Sequence, residues 1–266
     1  MRVKIRHQTE YRYDAPVPYG LQQLRMTPKS SAGQSIIEWR TEIEGGHKEL
    51  AFSDHNNNQV ELLAVSPGSR SVTILSEGEV DTADTVGVIG RHSGFTPLWY
   101  FSRSTPSTKP GPQVRGLVRA LPSGFESDAA RLHALSAQIL ETVPYQVGET
   151  DFSTTAEQAL TSGRGVCQDH AHIFISAARL LGYPARYVSG YLVIDGRVEQ
   201  EAGHAWAEAH VDGLGWVGFD ISSGVSPDER YVRVATGLDY GEAAPISGII
   251  FGGQKESMVV QLQVQQ

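Results

Sequence analysis

Along residues 1 to about 80, polar and apolar positions alternate in short runs rich in β-branched side chains, the period-2 pattern of half-buried strands. Residues 3–13, 35–43 and 71–75 show it most clearly. Turn signals lie between the runs: Pro16 and Pro18, Gly45-Gly46, residues 54–58, and Pro67-Gly68. No helix-period segment intrudes. Strands at this spacing predict a β-sandwich-like or barrel module. Residues 103–112 have the composition of a linker, with three prolines' worth of breaks around Lys109 and Gly111. A boundary there divides the chain into an N-terminal β-domain, residues 1–110, and a second domain, residues 111–266.

The period then changes. Ser127 or Asp128 can cap a helix whose apolar face is Leu132, Leu135, Ile139, Leu140 and Val143, and Pro144 stops it. Thr154 with Glu157, or Thr155 with Gln158, makes a capping-box pattern for a short helix ending at Gly163. A third helix is expected over 166–181, closed by Gly182 and Pro184. Beyond it strands are expected at 185–194, 203–211 and 216–221, with turns at Asp195-Gly196 and 212–215, and a further alternating strand at 257–264. Helices followed by a meander of strands indicate an α+β domain, helices packed on an antiparallel sheet.

Cys167 is the single cysteine, so no disulfide can form within the chain. It falls at the first turn of the third helix, after Gly163-Arg-Gly-Val166. Unpaired N–H groups and the positive end of the helix dipole stabilise a thiolate at such a place. A lone cysteine is equally at home as a small buried hydrophobe, and position alone does not separate the two readings. The segment from Gly203 to His210 puts His204, Trp206, Glu208 and His210 on one strand face. Trp216-Val-Gly-Phe-Asp220 follows a tight turn and ends in an acid. If the two segments form a hairpin, His204 and Asp220 lie at the end remote from the turn, where a carboxylate can fix the tautomer of an imidazole. Pairing across a four-residue loop leaves them offset by about three positions, so a twist or bulge has to close the gap.

These three blocks, Gly163 to His172, Gly203 to Glu208 and Gly215 to Asp220, resemble the bacterial transglutaminase-like family. Residues 7–17 and 24–28 resemble its N-terminal β-domain, and residues 231–240 the stretch after its catalytic acid. Ile221-Ser222 stands where the family commonly has Pro-Thr. The resemblance implies a papain-like, transglutaminase-like core in which Cys167, His204 and Asp220 are the catalytic residues of a thiol-dependent acyl transfer. It implies a cysteine peptidase or amidase cleaving a peptide-like amide. The alternatives are a transglutaminase-type amine acyltransferase that crosslinks proteins, and a non-enzymatic binding module on the same fold. The developing oxyanion needs donors. The Cys167 N–H is one, with Tyr145 and Gln158 as candidates for the second. Trp206 and Trp216 are candidates for the walls of a substrate groove, or for the core.

A metal is not expected. His170 and His172, two apart on a helix, point about 200° away from each other and cannot share an ion. Asp169 is expected to complement the helix N-terminus or to order the loop, and Arg164 to be a solvated loop residue rather than a partner for a substrate carboxylate. Composition changes this picture little. The chain has 266 residues with 40% hydrophobic and 20% charged positions, an ordinary globular mixture. A formal net charge of −8 argues against nucleic acid as a partner; the resemblance implies a peptide or protein substrate. The N-terminus reads as a strand rather than a signal peptide, and no run approaches the roughly 20 apolar residues of a membrane span. The expectation is a cytoplasmic enzyme without a cofactor.

Overall fold

A computed structural model describes residues 1–252 and 255–266. The alternating N-terminal runs form β1 (Arg2–Val17), β2 (Tyr19–Thr27), β3 (Gln34–Glu44), β4 (Gly46–Ser53), β5 (Gln59–Val65) and β6 (Ser69–Thr82). Pro18, Gly45, residues 54–58 and Pro67-Gly68 fall in the connections, as their turn chemistry predicts. Then come β7 (Val88–Gly90), α1 (Pro112–Ala120), α2 (Asp128–Thr142), α3 (Ala156–Ser162), α4 (Cys167–Leu180), β8 (Ala185–Leu192), β9 (Glu199–Gln200), β10 (His204–Val211), β11 (Gly215–Phe219) and β12 (Tyr231–Gly237). The chain ends with α5 (Tyr240–Ala243), β13 (Ile246–Phe251) and β14 (Glu256–Gln265).

Local chemistry accounts for most helix limits. The Ser127 hydroxyl accepts from the Ala130 N–H at 3.1 Å and opens α2. Thr155 and Gln158 form the capping box of α3, which Gly163 ends in the left-handed conformation at φ 66°. Helix α1 lies where the sequence suggested only the end of a linker. Its N-cap is Gly111, which offers no side chain. The Glu157 carboxylate, from α3, instead takes the N–H groups of Gly111, Gln113 and Val114 at 3.1, 2.6 and 3.2 Å. A cap supplied 44 residues away in sequence leaves no local signal.

Among the described residues all strand pairs are antiparallel, in three sheets. The core sheet has the order β12-β8-β10-β11-β7. Helices α1–α4 cover one of its faces. Between them Ile173, Phe174 and Ile175 of α4 are fully buried with Ala205, Ala207 and Ala209 of β10. Each large side chain so buried contributes about 1.5–3 kcal/mol. Small alanines on the strand let α4 come close to the sheet.

The other two sheets have the orders β3-β6-β1-β14-β9 and β13-β2-β5-β4. They enclose a core that includes Tyr11, Tyr13, Leu24, Met26, Leu63 and Ile74, giving a sandwich-like N-terminal region. Val3, Ile5, Val80 and Val264 of the first of these sheets pack with Tyr191, Val232 and Val234 of the core sheet. The core sheet therefore has helices on one side and the N-terminal region on the other.

The division into residues 1–110 and 111–266 needs correction. β7 precedes that boundary yet pairs with β11 of the core sheet. β13 and β14 follow it yet pair with β2 and β1, and β9 pairs with β14. Alternation along a strand fixes which side chains point inward but not which sheet the strand joins. The two regions are interleaved.

β12 is an edge strand, and two amide side chains of the N-terminal region complete its outer edge. Gln34 accepts from the Arg233 N–H and donates to the Arg233 carbonyl, both at 2.8 Å. Asn58 makes the same pair with Thr236, both at 2.8 Å. Each amide imitates one residue of a neighbouring strand and leaves no buried backbone group orphaned there. Replacing Asn58 with Ala removes donor and acceptor together from a fully buried position. We expect Asn58→Ala to lower unfolding stability by roughly 2–4 kcal/mol in urea titration with the slope unchanged. A change below about 0.5 kcal/mol would show that the amide is not needed at this edge.

Candidate active site

Helix α4 begins at Cys167, with Val166 extended before it at φ −113°. Asp169 turns back across that first turn. Its Oδ2 accepts from the Val166 N–H at 2.8 Å and from the Thr150 hydroxyl at 2.6 Å. This is the complement to the helix start expected of it. Cys167 is half-buried at the mouth of the turn.

His204 opens β10, and its Nε2 lies 2.8 Å from Asp220 Oδ2. The hairpin register makes this contact possible. Val211 pairs with Gly215 and Ala207 with Phe219, so the loop is Asp212, Gly213 and Leu214 only. Gly213 and Gly215 sit at φ 82° and 83°, which other residues rarely adopt. Continuing the register by one residue puts Asp220 opposite Trp206, and His204 is the next position on that face. The shorter loop thus brings base and acid within reach without the bulge expected from a four-residue turn. Diagonal neighbours on one sheet face are about 7–8 Å apart, a gap that two side chains span.

Asp220 is fully buried and well held. Tyr231 donates to Oδ2 at 2.7 Å, and the Ser222 N–H to Oδ1 at 3.1 Å. Burial opposes its charge, but the His204 hydrogen bond and charge, with those from Ser223 and Tyr231, hold the carboxyl below its usual range. Burial likewise opposes the imidazolium of His204. Hydrogen bonds to Asp220 and to the Cys167 thiol, and the charges of both, overcome it and raise the pKa to about 10.

His170 ties the acid's loop to α4. Its Nε2 faces the Val143 carbonyl at 2.7 Å and must carry the proton, leaving Nδ1 to accept from the Ser222 hydroxyl at 2.8 Å. Ser222 thereby fits the position where the family commonly has Thr. His172 points elsewhere, with Nε2 accepting from the Tyr240 N–H at 3.1 Å, so the two histidines do not converge. Among the described residues no group of three or more His, Cys, Asp or Glu side chains is placed to hold a metal ion. Nor is any helix long and apolar enough to cross a membrane.

Cys167 and His204 line one cavity of about 230 Å³, together with Gln168, Tyr187, Gly190 and Tyr240. At Gly190 a Cβ would meet the Val232 carbonyl at 2.1 Å and the Trp206 ring at 2.8 Å, so the strand can pass there only as glycine. His7 and Arg25 add a wall from the N-terminal region.

Of the other residues singled out from sequence, Tyr145 is brought to the site. It bridges to Gly165, just before Cys167, and is half-exposed at 51%. Burial first, then the charges of Cys167 and Asp220, raise its pKa. Gln158 is not brought there. Its Oε1 is turned back onto the Thr155 N–H and hydroxyl at 2.9 and 2.8 Å, and it serves α3 alone. Trp206 is buried with its ring 6.2 Å from that of His204, under the imidazole rather than in the cavity. Trp216 is buried in a separate cluster with Phe101 and Leu238. Neither tryptophan lines the cavity. Arg164 is exposed on its loop, 3.4 Å from Glu149. Tyr231, Gln168, His7 and Arg25 were missed from sequence. Gln168 adjoins the cysteine and had a positional signal; the others come from segments whose placement depends on the fold.

Residues 115–221 match the family model of the Transglutaminase-like superfamily, and residues 3–81 that of the Bacterial transglutaminase-like N-terminal region. An uncharacterized protein of Mycobacterium leprae is 27% identical over 265 residues, spanning 94% of this chain and 94% of its own length. An uncharacterized protein of Mycobacterium tuberculosis is 28% identical over 285 residues, spanning 97% of this chain and 90% of its own. The crystal structure of a "Putative Cysteine Protease" from Cytophaga hutchinsonii superposes with a TM-score of 0.80 at 23% identity, over 100% of this chain and 90% of that one. Fold and sequence agree that the chain belongs to the transglutaminase-like superfamily and carries its bacterial N-terminal region.

Proposed function

We propose that the chain is a cysteine peptidase or amidase in which Cys167 is the nucleophile, His204 the acid and base, and Asp220 the group that orients His204. The observation that carries this reading is the 2.8 Å His204–Asp220 hydrogen bond beside a cysteine that opens a helix in the same cavity. Sγ, its proton already passed to the imidazolium of His204, attacks the amide carbonyl carbon. The carbonyl oxygen gains the electron pair and is met by the Cys167 N–H and the Tyr145 hydroxyl. The C–N bond then breaks, His204 gives its proton to the departing amine, and a thioester remains. Water, deprotonated by His204, hydrolyses the thioester and restores the thiol. Asp220 stays ionised throughout and stabilises the imidazolium.

Thiol labelling tests the nucleophile. A thiol-directed electrophile followed by mass spectrometry should modify Cys167 faster than free cysteine, and His204→Ala should slow that reaction at least tenfold, roughly the low end for loss of a positioned base. Equal rates in the two proteins would remove His204 from the mechanism. Peptide-library cleavage with and without an added primary amine decides the acceptor: free carboxylic products in both favour hydrolysis, and amine-linked products favour transglutamination. Tyr145→Phe should reduce kcat by roughly a hundredfold with little change in KM, as for loss of one oxyanion donor; an unaltered kcat would leave Tyr145 as a wall residue.

The raised pKa of His204 sets the pH dependence. The imidazolium needed to protonate the amine persists to about pH 10, so kcat/KM should fall as pH rises through that value. Asp220→Asn should move the fall toward the ordinary histidine range. The same proton stabilises the fold. That contribution is complete below the unfolded value of about 6.5 and is lost as pH rises through about 10. An alkaline limb that stays in place in Asp220→Asn would show that it belongs to another group.

A further inference from the structure

The cavity that holds Cys167 and His204 reaches the N-terminal region at Arg25. Arg25 is 9% exposed, and its guanidinium is only partly engaged. Nη1 donates to the Ser247 hydroxyl at 3.0 Å and Nη2 to Gln23 Oε1 at 2.7 Å. Nε is buried and has no hydrogen-bond partner. Its nearest anion, Asp54, stands 3.5 Å away. That carboxylate is already committed to its own loop, accepting from the N–H groups of Asn56 and Asn58 and from Asn58 Nδ2 at 2.9, 2.8 and 3.0 Å. A planar guanidinium has five N–H donors, so Arg25 keeps donors for a further acceptor.

The surroundings favour an anion. Arg186 and Arg233 share the single carboxylate of Glu208 at 2.6 and 2.7 Å. Lys29 lies among these groups. Burial first, then the charges of Arg233 and Arg186, lowers its pKa to about 6 against the opposing charges of Glu208 and Asp54. Besides Lys29, the cations Arg25, Arg186 and Arg233 stand beside the anions Asp54 and Glu208, with Glu242 one step further, accepting from Asn56 Nδ2 at 3.0 Å. His7 and Tyr191, which line the same cavity, add no charge. His7 is held neutral by burial, with a pKa of about 4, and Tyr191 donates or accepts only through its hydroxyl.

We propose that Arg25 is the specificity-determining residue of this cavity and receives a substrate carboxylate, so that the acyl donor is an acidic peptide or amide. This rests on the acyl-transfer reading above. At about 230 Å³ the cavity takes one extended side chain or short acyl chain between the thiol and the guanidinium. The N-terminal region thereby supplies selectivity to chemistry performed by the core.

Two probes of equal intrinsic reactivity test it on the full chain: 4-(iodoacetamido)butanoic acid and the uncharged 4-(iodoacetamido)butanamide. In each the Cys167 thiolate displaces iodide and forms a thioether, and mass spectrometry gives the rate. The carboxylate probe should react about tenfold faster than the amide, the preference expected of one charged hydrogen bond in a half-closed site. In Arg25→Gln that ratio should fall to about one. A ratio near one in the unaltered protein, or one unchanged in Arg25→Gln, overturns the proposal. Because Arg25 also holds Ser247 and Gln23, the variant could unfold, and a second measurement avoids it. Glutarate should protect Cys167 of the unaltered protein from iodoacetamide while pentanamide does not; equal protection overturns the proposal. Iodoacetamide alone separates the two readings. If it labels Cys167 no faster than free cysteine, the acyl-transfer mechanism fails and the proposal falls with it; if labelling is fast but the probes are not distinguished, only the carboxylate site fails.

Discussion

An edge strand buried against another region must find partners for its outer N–H and C=O groups, and much of this molecule is organised around how β12 does so. Gln34 and Asn58 supply those partners, residue by residue, where a whole strand would otherwise be needed. The clamped strand carries the site's supports. Tyr231 at its start fixes the Asp220 carboxylate, Arg233 joins the buried charge group, and Val234 lines the cavity. Loosening this edge would disturb the acid's anchor and the cavity wall together. The N-terminal region is therefore part of the site's framework, held by hydrogen bonds whose loss inside the protein costs more than their formation in water gains.

A second constraint acts on His204. Removing an imidazole from water disfavours its charged form, and only the buried carboxylate beside it and the neighbouring thiol reverse that tendency. The arrangement holds a charge where a lone histidine would lose it. Asp220 in turn is kept ionised by donors from three directions, and its loop is anchored to α4 through Ser222 and His170. Cys167, His204 and Asp220 are thus mounted on one helix and one hairpin that share a small-residue interface, which leaves little freedom for them to drift apart.

The sequence carried the parts of the fold that depend on neighbours along the chain. Strand alternation, the Ser127 and Thr155 caps, the left-handed Gly163 and the helix beginning at Cys167 are all local effects. It did not carry what depends on distant partners. Helix α1 is capped by Glu157, so its own N-terminus shows no acceptor. Gln158 reads equally as an oxyanion donor or a cap until its carbonyl is seen on Thr155. Trp206 and Trp216 share the aromatic character of groove walls, and only packing assigns them to the core. The hairpin offset turned on whether Gly215 belongs to the turn or the strand, a difference of one residue with consequences for every side chain beyond it. Arg25 and His7 left no trace as site residues because no motif links them to Cys167.

The pairing of β1 with β14 has a consequence for how the molecule is made. Lys4 lies opposite Gln265, and the sheet that backs the cavity has β1 held between β6 and β14. A chain growing on the ribosome can form the hairpins and α4 early, but it cannot close this sheet until residue 265 has emerged. Until then His7 stands on a strand with one side open. The thiol at Cys167 is thus present in the nascent chain before the wall opposite it is finished.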